Sequence, residues 1–137
     1  MISDSENPGP VELVSVLPFA STLERLIEAI KTAGMTLFAT IDHAAGARDI
    51  GVEMQPTVVF IYGHAKGGTP IMLAAPQVAL DLPLRVLVRE AADGRTLVSF
   101  HPAAAMLRRA GVPEALATRL DPAQRILAEA VGAAQKG

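Results

Sequence analysis

The feature that most constrains the fold of this chain is an apolar run that leads directly into a glycine-rich segment. Residues 58–62 read Val-Val-Phe-Ile-Tyr, and they are followed by Gly63-His64-Ala65-Lys66-Gly67-Gly68-Thr69-Pro70. A run that is apolar at every position predicts a strand inside a sheet with both faces covered. Thr69 and Pro70 are typical first residues of a helix, which we expect over residues 71–75. A strand, a loop and a helix start in this order predict free backbone N–H groups that could hold an anion.

Length, charge and cysteine content exclude several classes of function. The 137 residues suit one domain over 11–137, after a polar, proline-containing lead over 1–10 that we expect to be mobile. The formal charge is -2 and the basic residues are scattered, which disfavours nucleic-acid binding. The absence of cysteine excludes disulfides and a thiolate nucleophile. Without a signal-peptide pattern or an apolar run long enough for a membrane span, we expect a soluble, cytoplasmic protein that binds no membrane.

Helix and strand signals cover most of the remaining chain. Ser21 and Glu24 form a capping-box pattern for a helix that ends at Gly34, and Asp42 is placed to cap a short helix through Arg48. Strands are predicted at 11–17, 35–41, 57–62, 84–90 and 96–100, and helices follow at 103–110, 113–120 and 122–131. Within 35–41, strict alternation predicts Met35, Leu37, Ala39 and Ile41 on one face and Thr36, Phe38 and Thr40 on the other.

The turn chemistry and the order of these elements indicate the fold class. Asp93-Gly94 predicts a hairpin between the last two strands, which should pair antiparallel. Asp121 is predicted to cap the last helix. We therefore predict an α+β, two-layer fold: a five-stranded, mixed or mostly antiparallel sheet packed by helices, with extra C-terminal helices.

Several ordered motifs in this chain resemble the domain of unknown function 302 family. They read Leu37-Phe38-Ala39-Thr40-Ile41-Asp42-His43-Ala44-Ala45, Gln55-Pro56-Thr57, Gly67-Gly68-Thr69-Pro70-Ile71-Met72 with Ala75-Pro76, and Asp81-Leu82-Pro83-Leu84-Arg85-Val86-Leu87-Val88. The resemblance covers about residues 22–106, which leaves 107–137 as a C-terminal helical extension. It implies a small α+β protein that forms homodimers and has no assigned activity.

Positions that match the family motifs supply the candidate ligand-binding residues, which we expect to form one corner of the molecule: Asp42, His43, Gly63, Lys66, Gly68 and Thr69. Relatives similar to this chain usually have Phe-Gly-Asn-Pro where this one has Tyr62-Gly63-His64-Ala65. His64 is therefore a further candidate, which must act differently from an asparagine amide.

Two kinds of chemistry compete with simple binding. A phosphate-binding Walker loop needs a lysine immediately before its Ser or Thr, whereas Gly68 precedes Thr69 here. The three histidines, His43, His64 and His101, each follow a predicted strand and could meet at one sheet edge as metal ligands. They lack the short helical spacing of a strong metal motif, so we predict neither a metal nor a cofactor.

The sequence thus predicts a dimeric, non-catalytic binding module for a small polar or anionic ligand. The dimer should form because residues 57–62 are apolar on both faces, while a two-layer fold covers only one face of its sheet. We expect it to bury Val58 or Val59 with the neighbours of Phe60, unless the C-terminal helices cover that face. The alternatives are a metal-dependent enzyme that uses the three histidines and a purely structural interaction protein.

Overall fold

A computed structural model describes residues 9–132 of the chain. The predicted mobile lead falls largely on residues 1–8, which lie outside the described residues. The strands are β1 (Val11–Val14), β2 (Thr36–Asp42), β3 (Thr57–Gly63), β4 (Leu84–Glu90) and β5 (Thr96–Phe100). The helices are α1 (Phe19–Thr32), α2 (His43–Asp49), α3 (Ala65–Ala74), α4 (Ala103–Arg109), α5 (Glu114–Ala117) and α6 (Asp121–Ala130), with a 3₁₀ helix at Pro76–Asp81.

The strands form one sheet in the order β1-β5-β4-β3-β2, and every neighbouring pair is antiparallel. β3 therefore lies between two partners, as its apolar sequence predicts. The predicted α+β class, with five strands and C-terminal helices, is confirmed. The sheet is antiparallel throughout, and the predicted hairpin joins β4 to β5 by reversing the chain at Asp93-Gly94. Gly94 has φ +88°, a conformation that glycine adopts without steric cost.

One face of the sheet carries the hydrophobic core. Val58, Phe60 and Tyr62 of β3 point to this inner face and are nearly inaccessible to solvent. Side chains from α1, α3, α4, α5 and α6 belong to the same core, so these helices form the second layer. The C-terminal helices therefore add to the covered face of the sheet.

The opposite, outer face of the sheet is not joined to this core. Pairing places Val59 beside Leu87 of β4 and Ile41 of β2, with Ile61 further along the same face. Val59, Ile61 and Leu87 are half-buried, Ile41 is exposed, and none of the four belongs to the core cluster. The described residues thus leave an apolar strip on the outer face.

Several predicted helix starts are wrong, and each correction has a local cause. α1 begins at Phe19 after Pro18, so Ser21 lies inside the helix and forms no capping box with Glu24. α6 begins at Asp121 itself, with Leu120 before it and no side-chain cap. The Asp42 cap is confirmed, because its Oδ1 accepts a hydrogen bond from Ala45 N at 2.9 Å.

The most consequential correction concerns the glycine-rich segment. α3 starts at Ala65, six residues before the predicted start, because His64 acts as its N-cap: His64 Nδ1 accepts a hydrogen bond from Lys66 N at 3.0 Å. Thr69 and Pro70 consequently lie inside α3. Residues 65–70, expected to be a loop, form the first half of the helix.

A β-bulge changes the faces of β2. The pairing shifts between Leu37, opposite Tyr62, and Ala39, opposite Ile61, so Phe38 is an extra residue. A bulge reverses the alternation that follows it. Leu37 therefore faces the core while Ala39 and Ile41 lie on the outer face, and the prediction that they share one face is wrong.

Candidate functional site

A cavity of about 470 Å³ opens at the end of β3 where the chain turns into α3. Its walls come from the start of β2, the first half of α3, the segment before β4 and the start of α6. The residues that line it are Ala33, Met35, Phe38, Gly63, His64, Ala65, Gly67, Gly68, Thr69, Met72, Leu82, Pro83, Leu84, Arg119, Leu120, Pro122, Ala123 and Ile126. We call this space the α3 cavity.

The α3 cavity combines a largely apolar wall with three polar side chains. The polar ones are His64, Thr69 and Arg119, and among the described residues that line the cavity Arg119 carries the one formal charge. A small-molecule site typically has this character, because the apolar wall supplies binding free energy and a few polar groups orient the ligand. The cavity therefore suits a molecule with an apolar body and a polar or anionic head.

Arg119 is held in place by a carbonyl that the sequence of α3 leaves free. In an α-helix the N–H of residue 70 would bond to the carbonyl of residue 66, but Pro70 has no N–H. Arg119 Nη2 donates to Lys66 O at 3.0 Å instead. The guanidinium has four further N–H groups, and it forms no ion pair with another described residue.

The first turn of α3 has few donors left for an anion. Lys66 N bonds to the His64 ring, and Gly67 N and Gly68 N both donate to His64 O, at 2.9 and 3.1 Å. The N–H groups of Ile71 and Met72, which a helix starting at residue 71 would leave free, lie inside the helix. An anion held mainly by backbone N–H groups is therefore not what this geometry favours.

The glycines of this segment permit close packing around the α3 cavity. A Cβ on Gly67 would lie 3.2 Å from Leu120 Cδ2, and one on Gly63 would lie 3.5 Å from Pro83 Cβ. A Cβ on Gly68 would meet Met72 and Leu82 at 3.8 and 3.9 Å, ordinary contact distances within the cavity wall. Gly67 thus allows α3 to approach Leu120, and Gly68 leaves volume in the cavity.

The predicted site residues do not form a single corner. Gly63, His64, Gly68 and Thr69 line the α3 cavity, whereas Asp42, His43 and Lys66 do not. β2 and β3 are antiparallel, with Thr36 opposite Gly63 and Asp42 opposite Val58. Asp42 and His43 therefore lie about 20 Å from Gly63, at the other end of the hairpin.

The same strand directions separate the histidines. His43 follows β2 and His64 follows the antiparallel β3, so they lie at opposite ends of this strand pair. His101 lines a different cavity from His64. Within residues 9–132 no group of three or more His, Asp or Glu side chains is placed to hold a metal ion. The histidine site on which the metalloenzyme alternative depends is absent from this part of the chain.

Sequence reasoning missed Phe38 and Arg119. Phe38 is 56% exposed and reaches the α3 cavity because the β2 bulge turns it away from the regular alternation. A bulge leaves no clear mark in a single sequence. Arg119 lies in a C-terminal segment about 50 residues from α3, and the available signal was Pro70 inside a helix, which leaves a carbonyl in need of a donor.

Tyr62, the residue before Gly63, carries an unusual buried group. Its side chain is fully buried, and its hydroxyl has no hydrogen-bond partner among the described residues. Burial raises the pKa of Tyr62 well above its usual range, because the charged phenolate is poorly solvated there. The residue does not line the α3 cavity, so we assign it to the core.

The fold is shared with a solved protein. The crystal structure of an uncharacterised conserved protein from Bacillus stearothermophilus, described as DUF302, superimposes with a TM-score of 0.77 at 16% sequence identity. The match covers 90% of this chain and 95% of that chain, and at this identity it shows the fold alone.

This chain matches less than half the length of the curated relatives. Two proteins named Fluoride-specific ion channel FluC 1, from Brucella suis biovar 1 and Brucella abortus biovar 1, are each 34% identical to this chain over 101 residues. The match covers 74% of this chain but 40% and 37% of those proteins. Among residues 9–132, none of the helices combines the length and apolar character required to cross a bilayer.

A family match accounts for the motifs and the fold together. The model of the family described as Domain of unknown function DUF302 matches residues 11–134. This range is wider than the motifs quoted above and includes α4, α5 and α6. With nearly the whole folded chain matched, the protein belongs to the DUF302 family.

Proposed function

We propose that this protein is a cytoplasmic, homodimeric, non-catalytic binding module whose α3 cavity takes a small ligand with an apolar body and an anionic head. The observation that carries the proposal is the single guanidinium, Arg119, in a mostly apolar cavity of about 470 Å³. Such a ligand would place its apolar part against Met72, Leu82 and Ile126 and its head at Arg119. The polar or anionic ligand that the sequence predicts is thereby narrowed to an amphipathic one.

The choice between a polar and an amphipathic ligand depends on desolvation. A small, fully polar ligand would lose water on entering this cavity and would find hydrogen-bonding side chains only at His64, Thr69 and Arg119. An alkyl carboxylate loses little by burying its chain and can form charge-assisted hydrogen bonds with the guanidinium. The lining therefore favours a carboxylate with an aliphatic chain.

Calorimetric titration with butanoate, hexanoate and octanoate tests this proposal. We expect affinity to rise with chain length, because each buried methylene contributes about 0.8 kcal/mol. The corresponding 1-alcohols should bind more weakly, because a charge-assisted hydrogen bond contributes about 1.5–3 kcal/mol. Arg119→Gln should therefore weaken octanoate about tenfold or more while changing 1-octanol little.

Two further variants separate a binding effect from a folding effect. Arg125→Gln removes an exposed arginine of α6 that does not line the α3 cavity, and it should bind octanoate like the unmodified chain. Gly68→Ala adds a methyl at ordinary contact distance from Met72 and Leu82, so it should fold normally and weaken octanoate. Equal affinity for all three carboxylates, or equal losses in the Arg119 and Arg125 variants, would contradict the proposal.

The homodimer is supported by the outer face of the sheet. Val59, Ile61 and Leu87 form an apolar strip there that no described helix joins to the core. A second copy could cover this strip around a two-fold axis, because identical apolar strips complement each other. The contact would use Val59; Val58 and Phe60 are already buried in the core of their own chain.

Light scattering coupled to gel filtration tests the dimer. We expect a mass twice that of the 14.3 kDa chain at micromolar concentration, and Val59→Asp should reduce it to the monomer mass by placing a charge in the interface. Glu53→Lys, an exposed charge change in the connection between α2 and β3, is the control and should stay dimeric. A monomer mass for the unmodified chain would reject the dimer.

A second candidate function is an accessory domain for an ion channel. It is supported by the 101-residue match to proteins named fluoride-specific ion channels, of which this chain spans 40% or less. In this case the chain would bind a channel and change its ion flux.

Fluoride flux measurements distinguish this candidate from the first. The Brucella suis protein, truncated to remove its matched region, would be reconstituted in liposomes with and without this chain. An accessory domain should change the fluoride flux, whereas serum albumin at the same concentration should not. If the fluoride flux is unchanged and octanoate binds normally, the accessory-domain function is excluded and the binding-module function is retained.

A further inference from the structure

A second cavity lies beside the junction of β5 and α4. Its volume is about 460 Å³, close to that of the α3 cavity. The residues that line it are Gly9, Leu80, Asp81, Leu84, Arg85, His101, Pro102, Ala103, Ala105, Met106, Arg109 and Gln124. We call it the α4 cavity.

The α4 cavity differs from the α3 cavity in its charge. The lining contains two guanidinium groups, Arg85 and Arg109, and one carboxylate, Asp81, so its formal charge is +1 with His101 neutral. The whole chain carries -2. A local excess of positive charge on a net acidic protein attracts anions to this cavity.

Arg85 is available to a ligand. It lies near the start of β4 with an exposed side chain, and it forms no ion pair or side-chain hydrogen bond with another described residue. Other arginines of the chain do have such partners: Arg89 pairs with Glu12, and Arg108 pairs with Glu114. An unpaired guanidinium keeps its donors for the two oxygens of a carboxylate or a phosphate.

A buried glutamine holds the wall of the α4 cavity rigid. Gln124 of α6 donates from Nε2 to His101 O at 2.9 Å and accepts at Oε1 from Ala103 N at 3.1 Å. Gln124 is 6% exposed, so these two hydrogen bonds fix the turn between β5 and α4 from inside the protein. His101 belongs to this turn, and α4, which carries Arg109, begins directly after it.

From this arrangement we propose that the α4 cavity is a second binding site, for a small organic anion whose phosphate or carboxylate group is held by Arg85 and Arg109. His101 supplies a further hydrogen bond, and Leu80 and Met106 contact the organic part. The site is separate from the α3 cavity, because their shared lining residue is Leu84 alone among the described residues.

Amide chemical shifts of ¹⁵N-labelled protein test the proposal. Inorganic phosphate and citrate would be added in separate titrations at constant ionic strength. We expect a saturable response at residues 80–85 and 101–109 with at least one of the two anions. A response to phosphate alone would indicate a phosphorylated ligand, and a response to citrate alone would indicate a polycarboxylate. A response to both would indicate a site that recognises the anionic group in either form.

Variants then distinguish anion binding in the α4 cavity from anion binding to basic residues elsewhere on the surface. The double variant Arg85→Gln with Arg109→Gln should weaken the anion about tenfold or more, since charge-assisted hydrogen bonds are lost. Ala105→Leu, which fills the cavity without changing charge, should also weaken it. Arg48→Gln, an exposed arginine of α2 that lines neither cavity, should bind normally, and Arg119→Gln should as well.

Three outcomes would contradict the proposal of a second binding site. No saturable response to either anion, or shifts spread over all basic surfaces, would overturn the second site. So would equal weakening in the Arg48 variant. Because Arg119→Gln tests the α3 cavity alone, failure of one site leaves the other assessable.

Discussion

The two ends of the β2–β3 hairpin are built in similar ways but offer a ligand different surroundings. At one end Asp42 caps α2, and at the other His64 caps α3, each through a side chain that accepts a backbone N–H. Both residues are exposed, but His64 lines a cavity of about 470 Å³ while Asp42 lines neither cavity. A polar residue at a strand end thus serves the adjacent helix first, and it can serve a ligand only where neighbouring elements enclose a space.

The largest expected difference between these ends concerns two helical glycines. Gly67→Val should lower the free energy of unfolding by about 1–3 kcal/mol, because its Cβ would already lie 3.2 Å from Leu120. Gly46→Val in α2 meets nothing within 4 Å and should change stability little. Urea denaturation measures both. Equal losses would show that α3 is not closely packed against Leu120.

Tyr62 gives the next largest effect. Tyr62→Phe removes a buried hydroxyl without a partner, so it should raise the free energy of unfolding by about 1 kcal/mol. A loss of stability above 1 kcal/mol would mean that the hydroxyl has a partner in solution, such as a buried water.

The same residue gives a pH dependence with a defined sign. The unfolded chain releases the tyrosine proton near its ordinary pKa of about 10, while burial raises the pKa of Tyr62 in the folded protein. The folded state therefore binds more protons above about pH 10, and stability falls as pH rises there. Thermal unfolding between pH 8 and about 11 should show a steeper loss for the unmodified chain than for Tyr62→Phe.

The two helix caps should produce the smallest and most diagnostic effects. Asp42→Ala should cost about 1 kcal/mol of stability and leave octanoate binding unchanged. His64→Ala should cost less stability, since histidine is not among the preferred caps, but it should weaken octanoate because the ring lines the cavity. A binding defect in the Asp42 variant would restore the single corner that the sequence predicted.

How much the sequence could predict depended on whether a feature was local. The Asp42 cap, the Asp93-Gly94 turn and β4 follow from neighbouring residues and were predicted correctly. The start of α3 was not, because Thr69-Pro70 gives a stronger helix-start signal than His64, which is the cap. The carbonyl that Pro70 leaves free inside the helix is satisfied by Arg119, 53 residues further along the chain. The α3 cavity also needed Arg119 and Ile126, whose distance in sequence hides their proximity in the fold.

The crystal structure of the octanoate complex tests the central claim most directly. The account predicts one octanoate in the α3 cavity, with its carboxylate within hydrogen-bonding distance of the Arg119 guanidinium and its chain against Met72 and Ile126. Octanoate bound on the outer face of the sheet, or an unoccupied α3 cavity at saturating octanoate, would contradict it.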